Sequence, residues 1–234
     1  MGIPRKTFVA VLIFNIAMAA LEGAVVVYLR ALYYPDGFTV AMKMTDQRIL
    51  MIEIVRELAT VIMLAGVGYL AGKSLKDRFA YFLMSFAVWD IFYYVWLKIF
   101  IDWPSSILEW DILFLIPFTW LGPTLAPIIC SATMLLLAIS ILQTRTKLTL
   151  TSWCCFAIGS SIILYTFLED YGSIIISNGF YLDYAALLQN KDFLNVASHY
   201  IPQSYSWNLF TVGELLIIAG IYLIRMNSSA TGSR

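Results

Sequence analysis

FVAVLIFNIAMAALEGAVVVYL, residues 8–29, is broken only by Asn15 and Glu22 and is long enough to cross a hydrocarbon core. The pattern recurs. Apolar runs lie at about 7–29, 50–71, 79–101, 118–142, 150–169 and 207–225. Lipid offers backbone polar groups no water, so each run must satisfy its hydrogen bonds internally and is read as a helix. Composition agrees: 61% of residues are hydrophobic and only 13% charged, where a soluble domain carries about a quarter. The expected fold is an all-α integral membrane protein, a six-helix transmembrane bundle forming a single polytopic domain over residues 1–234. The first run, after MGIPRK, is long enough to span and is read as a retained helix rather than a cleaved signal.

Two further segments are too short or too polar to cross. Residues 104–117, PSSILEWDILFLIP, lie between two prolines and are expected to form a short interfacial or re-entrant helix, followed by a break at WLGPTLAP. The last long connection contains YLDYAALLQNKDFLNVASHY, which suggests an amphipathic helix lying on the membrane surface, with Asn178-Gly179 as the turn before it. Gly68 and Gly72, four apart, have the spacing of a helix-packing surface.

The flanking cations give a direction. Arg5, Lys6, Lys73, Lys76, Arg78, Arg145, Lys147, Arg225 and Arg234 fall on one side; Arg30, Lys43, Arg48, Lys98 and Lys191 fall on the other. The richer side is expected to be cytoplasmic, which places both termini there, in a plasma or inner membrane. Net charge is zero with no basic run, which argues against a nucleic-acid partner.

Ionisable residues at membrane depth cost about 2.5 kcal/mol or more, so they normally face the bundle interior and find partners. Glu22 lies in the first run, Glu53, Arg56 and Glu57 in the second, Asp90 in the third and Glu214 in the sixth. Asp111 sits on the short segment 104–117, and His199, the one histidine, precedes the last run. All are expected in the outer half. Glu53, Arg56, Glu57 and Thr60 fall at i, i+3, i+4 and i+7, a single helical stripe. Glu53 and Arg56 are spaced to pair, leaving Glu57 to seek a partner elsewhere. Tyr93 and Tyr94, one turn beyond Asp90, are placed to bond or screen it. Glu22, Glu57, Asp90 and Glu214 are therefore the candidate catalytic acids, with Glu53, Arg56, Tyr93, Tyr94, Asp111 and His199 in supporting roles. The tryptophans near run ends, Trp103, Trp110, Trp120 and Trp207, are read as an interfacial belt.

Absences narrow the chemistry. A single histidine rules out bis-histidine haem, and no Glu-x-x-His or His-Glu-x-x-His motif is present. Cys130, Cys154 and Cys155 lack metal-type spacing. Several carboxylates are chemistry that a hard divalent cation accepts, but no compact Asp-rich motif indicates one, so no cofactor is expected. The leading reading is a membrane-embedded enzyme using carboxylic acid and base groups on a lipid-like or isoprenoid substrate. In low dielectric the neutral acid is favoured, which suits Asp90 or Glu22 to general acid catalysis. Trp89, Tyr93, Tyr94 and Trp96 offer ring faces to a developing cation. The layout is analogous to that of small integral-membrane terpene cyclases, without a shared motif. Two alternatives stand beside it: a non-catalytic subunit or assembly factor of a larger membrane complex, and a cation- or proton-coupled transporter. The expected partners are the lipid bilayer and either a hydrophobic small molecule or other membrane subunits.

Overall fold

The computed structural model describes residues 5–41, 47–143, 148–181, 187 and 190–232. Among them the chain forms seven helices: α1 (Arg5–Tyr33), α2 (Gln47–Ala71), α3 (Leu75–Ile101), α4 (Leu125–Gln143), α5 (Leu150–Ser177), α6 (Lys191–His199) and α7 (Trp207–Gly232). A hairpin of β1 (Trp110–Phe114) and β2 (Trp120–Pro123) stands between α3 and α4. The all-helical membrane architecture holds in outline, with this one small sheet added.

The count of six spans needs qualification. Five helices, α1, α3, α4, α5 and α7, are long and apolar enough to cross a membrane. α2, of 25 residues, is not among these five, and it carries Arg48, Glu53, Arg56 and Glu57. Its side chains show where those charges go. Glu53, Glu57 and Thr60 are buried, whereas Ile52, Val55, Leu58 and Ile62 are exposed. This is a helix turned inside out, as lipid solvation requires of a polar stripe.

α3 is the central helix and packs against α1, α2 and α4; α4 reaches α7, and α7 pairs with α5. α1 runs parallel to α3, since Val11 shares a core with Tyr81 and Met84 while Gly23 faces Trp96. α2 and α4 run antiparallel to it. Arg5, Lys6, Lys73, Lys76, Arg78 and Arg225 consequently gather at one end of the bundle, here called the terminal end. The hairpin and α6 occupy the other. Lys43, Arg145, Lys147 and Arg234 lie outside the described residues.

Lipid tails are as apolar as leucine, so these helices associate through close packing rather than hydrophobic expulsion. Gly68 and Gly72 serve this at the α2–α3 turn, where a Cβ on Gly68 would sit 2.8 Å from the Arg78 carbonyl oxygen. α3 begins there with a reciprocal cap: Ser74 Oγ accepts the Asp77 N–H and Asp77 accepts the Ser74 N–H. A second such contact, unnoticed in the sequence because its glycines are 54 residues apart, joins α5 to α7. A Cβ on Gly159 would meet the Gly213 carbonyl oxygen at 2.7 Å, and one on Gly213 would meet that of Gly159 at 2.9 Å.

The segment 104–117 is not a helix. Ser105 donates its N–H and hydroxyl to Glu109, and Trp103 Nε1 donates to the same carboxylate at 2.7 Å, so the chain folds back on itself. β1 then pairs with β2, which contains the first half of the expected break and delays the fourth span to Leu125. The expectation failed because the pairing is non-local. The first N–H groups of α4 find carbonyls upstream, Thr124 to Glu109 and Leu125 to Ile107, which no local pattern announces.

At the same end, α5 runs eight residues past its expected stop to Ser177, and Asn178-Gly179 makes the turn, with Gly179 at φ 74°. Asp170 and Glu169 do not end the helix because Tyr200 and Ser206 donate hydrogen bonds to them. The amphipathic helix appears as α6, nine residues capped by Asn190, with Phe193 and Ala197 buried beneath it. Residues 182–186 and 188–189 of the expected helix lie outside the described residues.

Replacing Gly213 by leucine is expected to wedge α5 from α7, lowering stability by about 1–3 kcal/mol or more. Melting of the detergent-solubilised protein checks this, with Gly66→Leu as control because a Cβ there meets nothing within 4 Å. Equal melting temperatures for the two variants would refute the tight seam.

Candidate functional site

The helices enclose a cavity of about 440 Å³, within the range that takes a small ligand. Glu22, Glu57, Asp90 and Glu214, contributed by α1, α2, α3 and α7, all line it. Sequence spacing relates only residues on one helix, so this convergence is a tertiary result.

The four acids differ in how their oxygens are held. Glu22 receives Arg56 Nη1 and, at 3.3 Å, the Thr60 hydroxyl. Arg56 also donates Nε to Glu53 at 2.7 Å, so the stripe on α2 forms an ion cluster that reaches across to α1. Glu57 accepts the Leu115 N–H at 2.9 Å and thereby ties α2 to the chain just after β1. Asp90 accepts the Ser131 hydroxyl at 2.7 Å, and Glu214 accepts the Thr133 hydroxyl at 2.8 Å. Glu214 is only 6% exposed, and the Cys130 thiol stands against the same carboxylate.

Much of the remaining wall is aromatic. Phe86, Trp89 and Tyr93 come from α3, Phe114 and Trp120 from the hairpin, and Phe167 from α5. Trp120 stacks on Phe167 with ring centroids 6.3 Å apart and planes within 12°. Trp120 therefore belongs to the cavity and not to an interfacial belt. Trp96 turns away, donating Nε1 to the Ile16 carbonyl at 3.0 Å.

Four of the supporting candidates play other parts. Glu53 is buried against Arg56 and does not line the cavity. Asp111 is the buried residue of strand β1, not on a helix near water, and pairs with Arg30 at 3.1 Å. Tyr94 does line the cavity, but its hydroxyl donates to Asp111 at 3.3 Å rather than to Asp90. His199 is exposed on α6, its ring bonded to the Asn195 carbonyl and Ser198, well apart from the acids.

The Arg30–Asp111 pair is itself a built feature. Both side chains are over nine-tenths buried, and the guanidinium lies 3.7 Å from the Trp103 ring and 3.8 Å from that of Phe38. The rings give the cation faces where hydrogen-bond acceptors are missing. Burial pushes the Asp111 carboxyl up to about 6, against the opposing pull of Arg30 and the Ile112 N–H. Trp103 likewise proves to be a stacking partner here.

Sequence reasoning overlooked Ser131, Thr133 and Arg30. A usable signal existed for the first two: they are hydroxyls within an apolar run, and such groups seek partners on neighbouring helices. Among the described residues no three His, Cys, Asp or Glu side chains gather closely enough to hold a metal ion. The acids are spread around the wall. No protein-family model, curated protein or solved structure matches this chain.

Arg30→Ala is expected to cost about 3–5 kcal/mol by leaving Asp111 buried and unpaired, and Asp111→Ala a similar amount. The double variant Arg30→Met, Asp111→Leu should recover most of the loss in melting experiments. Should the double variant melt no higher than the singles, the pair is not what holds the hairpin.

Proposed function

We propose that this protein is a membrane-embedded enzyme that acts on an amphiphilic, lipid-like or isoprenoid substrate by carboxyl-group acid and base chemistry. The observation that carries this reading is the convergence of four acids from four helices on one cavity whose other wall is largely apolar and aromatic. A purely structural acid would bury all of its oxygens in protein bonds. Glu22 and Glu57 come closest to that, each held by groups that tie elements together. Asp90 and Glu214 instead take side-chain hydroxyls of α4, Ser131 and Thr133, with the Cys130 thiol also beside Glu214.

In this reading Asp90 and Glu214 exchange a proton with the substrate, one as acid and the other as base. Ser131 and Thr133 on α4 fix their rotamers. Trp89, Tyr93, Phe114 and Trp120 exclude water and offer ring faces to positive charge that develops between the two steps. The Arg56 cluster serves as the structural support of the α1–α2 wall. The transporter reading is less well supported, since the lining residues end in aromatic contacts at the terminal end rather than in a polar exit. We place both termini in the cytoplasm of a plasma or inner membrane, because the terminal end collects the larger share of lysine and arginine.

Comparative lipid profiling tests the proposal. Cells expressing the protein should gain or lose specific amphiphilic species relative to cells expressing Asp90→Asn or Glu214→Gln, with turnover reduced about 10²- to 10⁴-fold in each variant. Both variants should retain the wild-type melting temperature within a few degrees. Indistinguishable lipid profiles for wild type and both variants would remove the enzymatic reading.

A further inference from the structure

The cavity extends well beyond the acids. On α3 its lining residues continue from Asp90 through Phe86 and Leu83 to Phe79. Over that stretch the helix rises about 16 Å, at about 1.5 Å per residue. The facing wall descends in step, through Met134 and Leu137 on α4 and Phe156 and Trp153 on α5. Below Asp90 none of these side chains carries a charge. Toward the terminal end the lining is thus apolar, an apolar slot continuing from the acids.

The slot has a floor. Phe79 and Trp153 meet with ring centroids 5.8 Å apart, and Trp153 also stands edge-on to Phe156 at 6.3 Å. Among the described residues α3 and α5 share no extensive packing elsewhere, because α5 is held by α7 and by β2. The two rings therefore bridge helices that are otherwise separate, at the level where the cavity ends. Trp153 is 45% exposed, so it was not placed there by burial of its own surface. A core contact would bury it.

We propose that the slot holds a single unbranched or prenyl chain of the substrate, and that the Phe79–Trp153 contact sets the longest chain the site accepts. This rests on the amphiphile reading above and adds its specificity determinant. The apolar slot matches hydrocarbon, the acids at its upper end match a polar or reactive head, and the floor limits length. Each methylene that gains a seat in the slot tightens binding about fourfold; one that meets the floor gains nothing.

The test uses the full chain in nanodiscs, titrated with a homologous series of straight-chain primary alcohols and read as the rise in melting temperature at fixed concentration. Wild type should show an optimum length, with stabilisation falling for longer members. Trp153→Ala and Phe79→Ala should move the optimum to longer chains, by roughly 5 Å of chain, one helical turn. Leu83→Phe, one turn above the floor, should move it to shorter ones. Trp153→Leu and Phe79→Leu stand in if the alanine variants fail to fold. Stabilisation that climbs with length identically in every variant reports partition into the bilayer and overturns the ruler. So does an optimum that none of the substitutions shifts. If no alcohol stabilises wild type at any length, the slot takes no chain and the amphiphile reading falls with it. Persistence of the lipid-profile difference between wild type and Asp90→Asn alongside an unmoved optimum would sink the ruler alone.

Discussion

The ion pair between Arg30 and Asp111 is the contact on which the hairpin end of the molecule depends. A β-hairpin between two spanning helices presents backbone groups and turns that lipid does not tolerate, and it persists only where protein covers it. Arg30 supplies that cover from α1, Tyr94 from α3 through the same carboxylate, and Glu57 from α2 through the Leu115 N–H. Three helices thus hold one short hairpin. Because β1 and β2 bring Phe114 and Trp120 to the cavity, the pair also fixes part of the cavity wall.

The same economy governs the other charges. One arginine, Arg56, stands among several carboxyl groups, and the fold distributes it between Glu22 and Glu53. Glu57 is assigned to a backbone N–H, and Asp90 and Glu214 to hydroxyls of α4. Hydroxyls orient a carboxyl group without neutralising it. Among the described residues the acids of α3 and α7 have no salt-bridge partner, and the proposed chemistry is placed on them for that reason. The apolar slot continuing from the acids gives that chemistry a shaped setting, with a head region and a chain region in one continuous space.

Several elements were readable from residue order alone. The apolar runs marked the long helices, Asn178-Gly179 marked the turn ahead of α6, and the i, i+3, i+4 stripe on α2 foretold both the Arg56–Glu53 bond and a Glu57 partnered off its own helix. These are local properties, set by the helical period and by the intolerance of lipid for charge. Residues 104–117 were misread for the complementary reason. Their apolar content and bracketing prolines suit a short helix, but the partners that make them a hairpin lie after the second proline and on α1, α2 and α3. Asp90 and Asp111 show the contrast most sharply. They share the spelling Trp-Asp-Ile, yet one lines a cavity and the other closes an ion pair.

What the sequence by itself determined is the solvent: a chain with these runs must be helical in lipid and must turn its few charges inward. Which charges meet was decided by the tertiary structure. Helix order around α3, the glycine seams at Gly68 and at Gly159–Gly213, and the hairpin together set which faces oppose one another. Glu22, Glu57, Asp90 and Glu214 converge because four helices present their polar stripes to one gap. Spacing along a helix fixes the direction a side chain takes relative to its neighbours, but only packing between helices fixes what stands opposite.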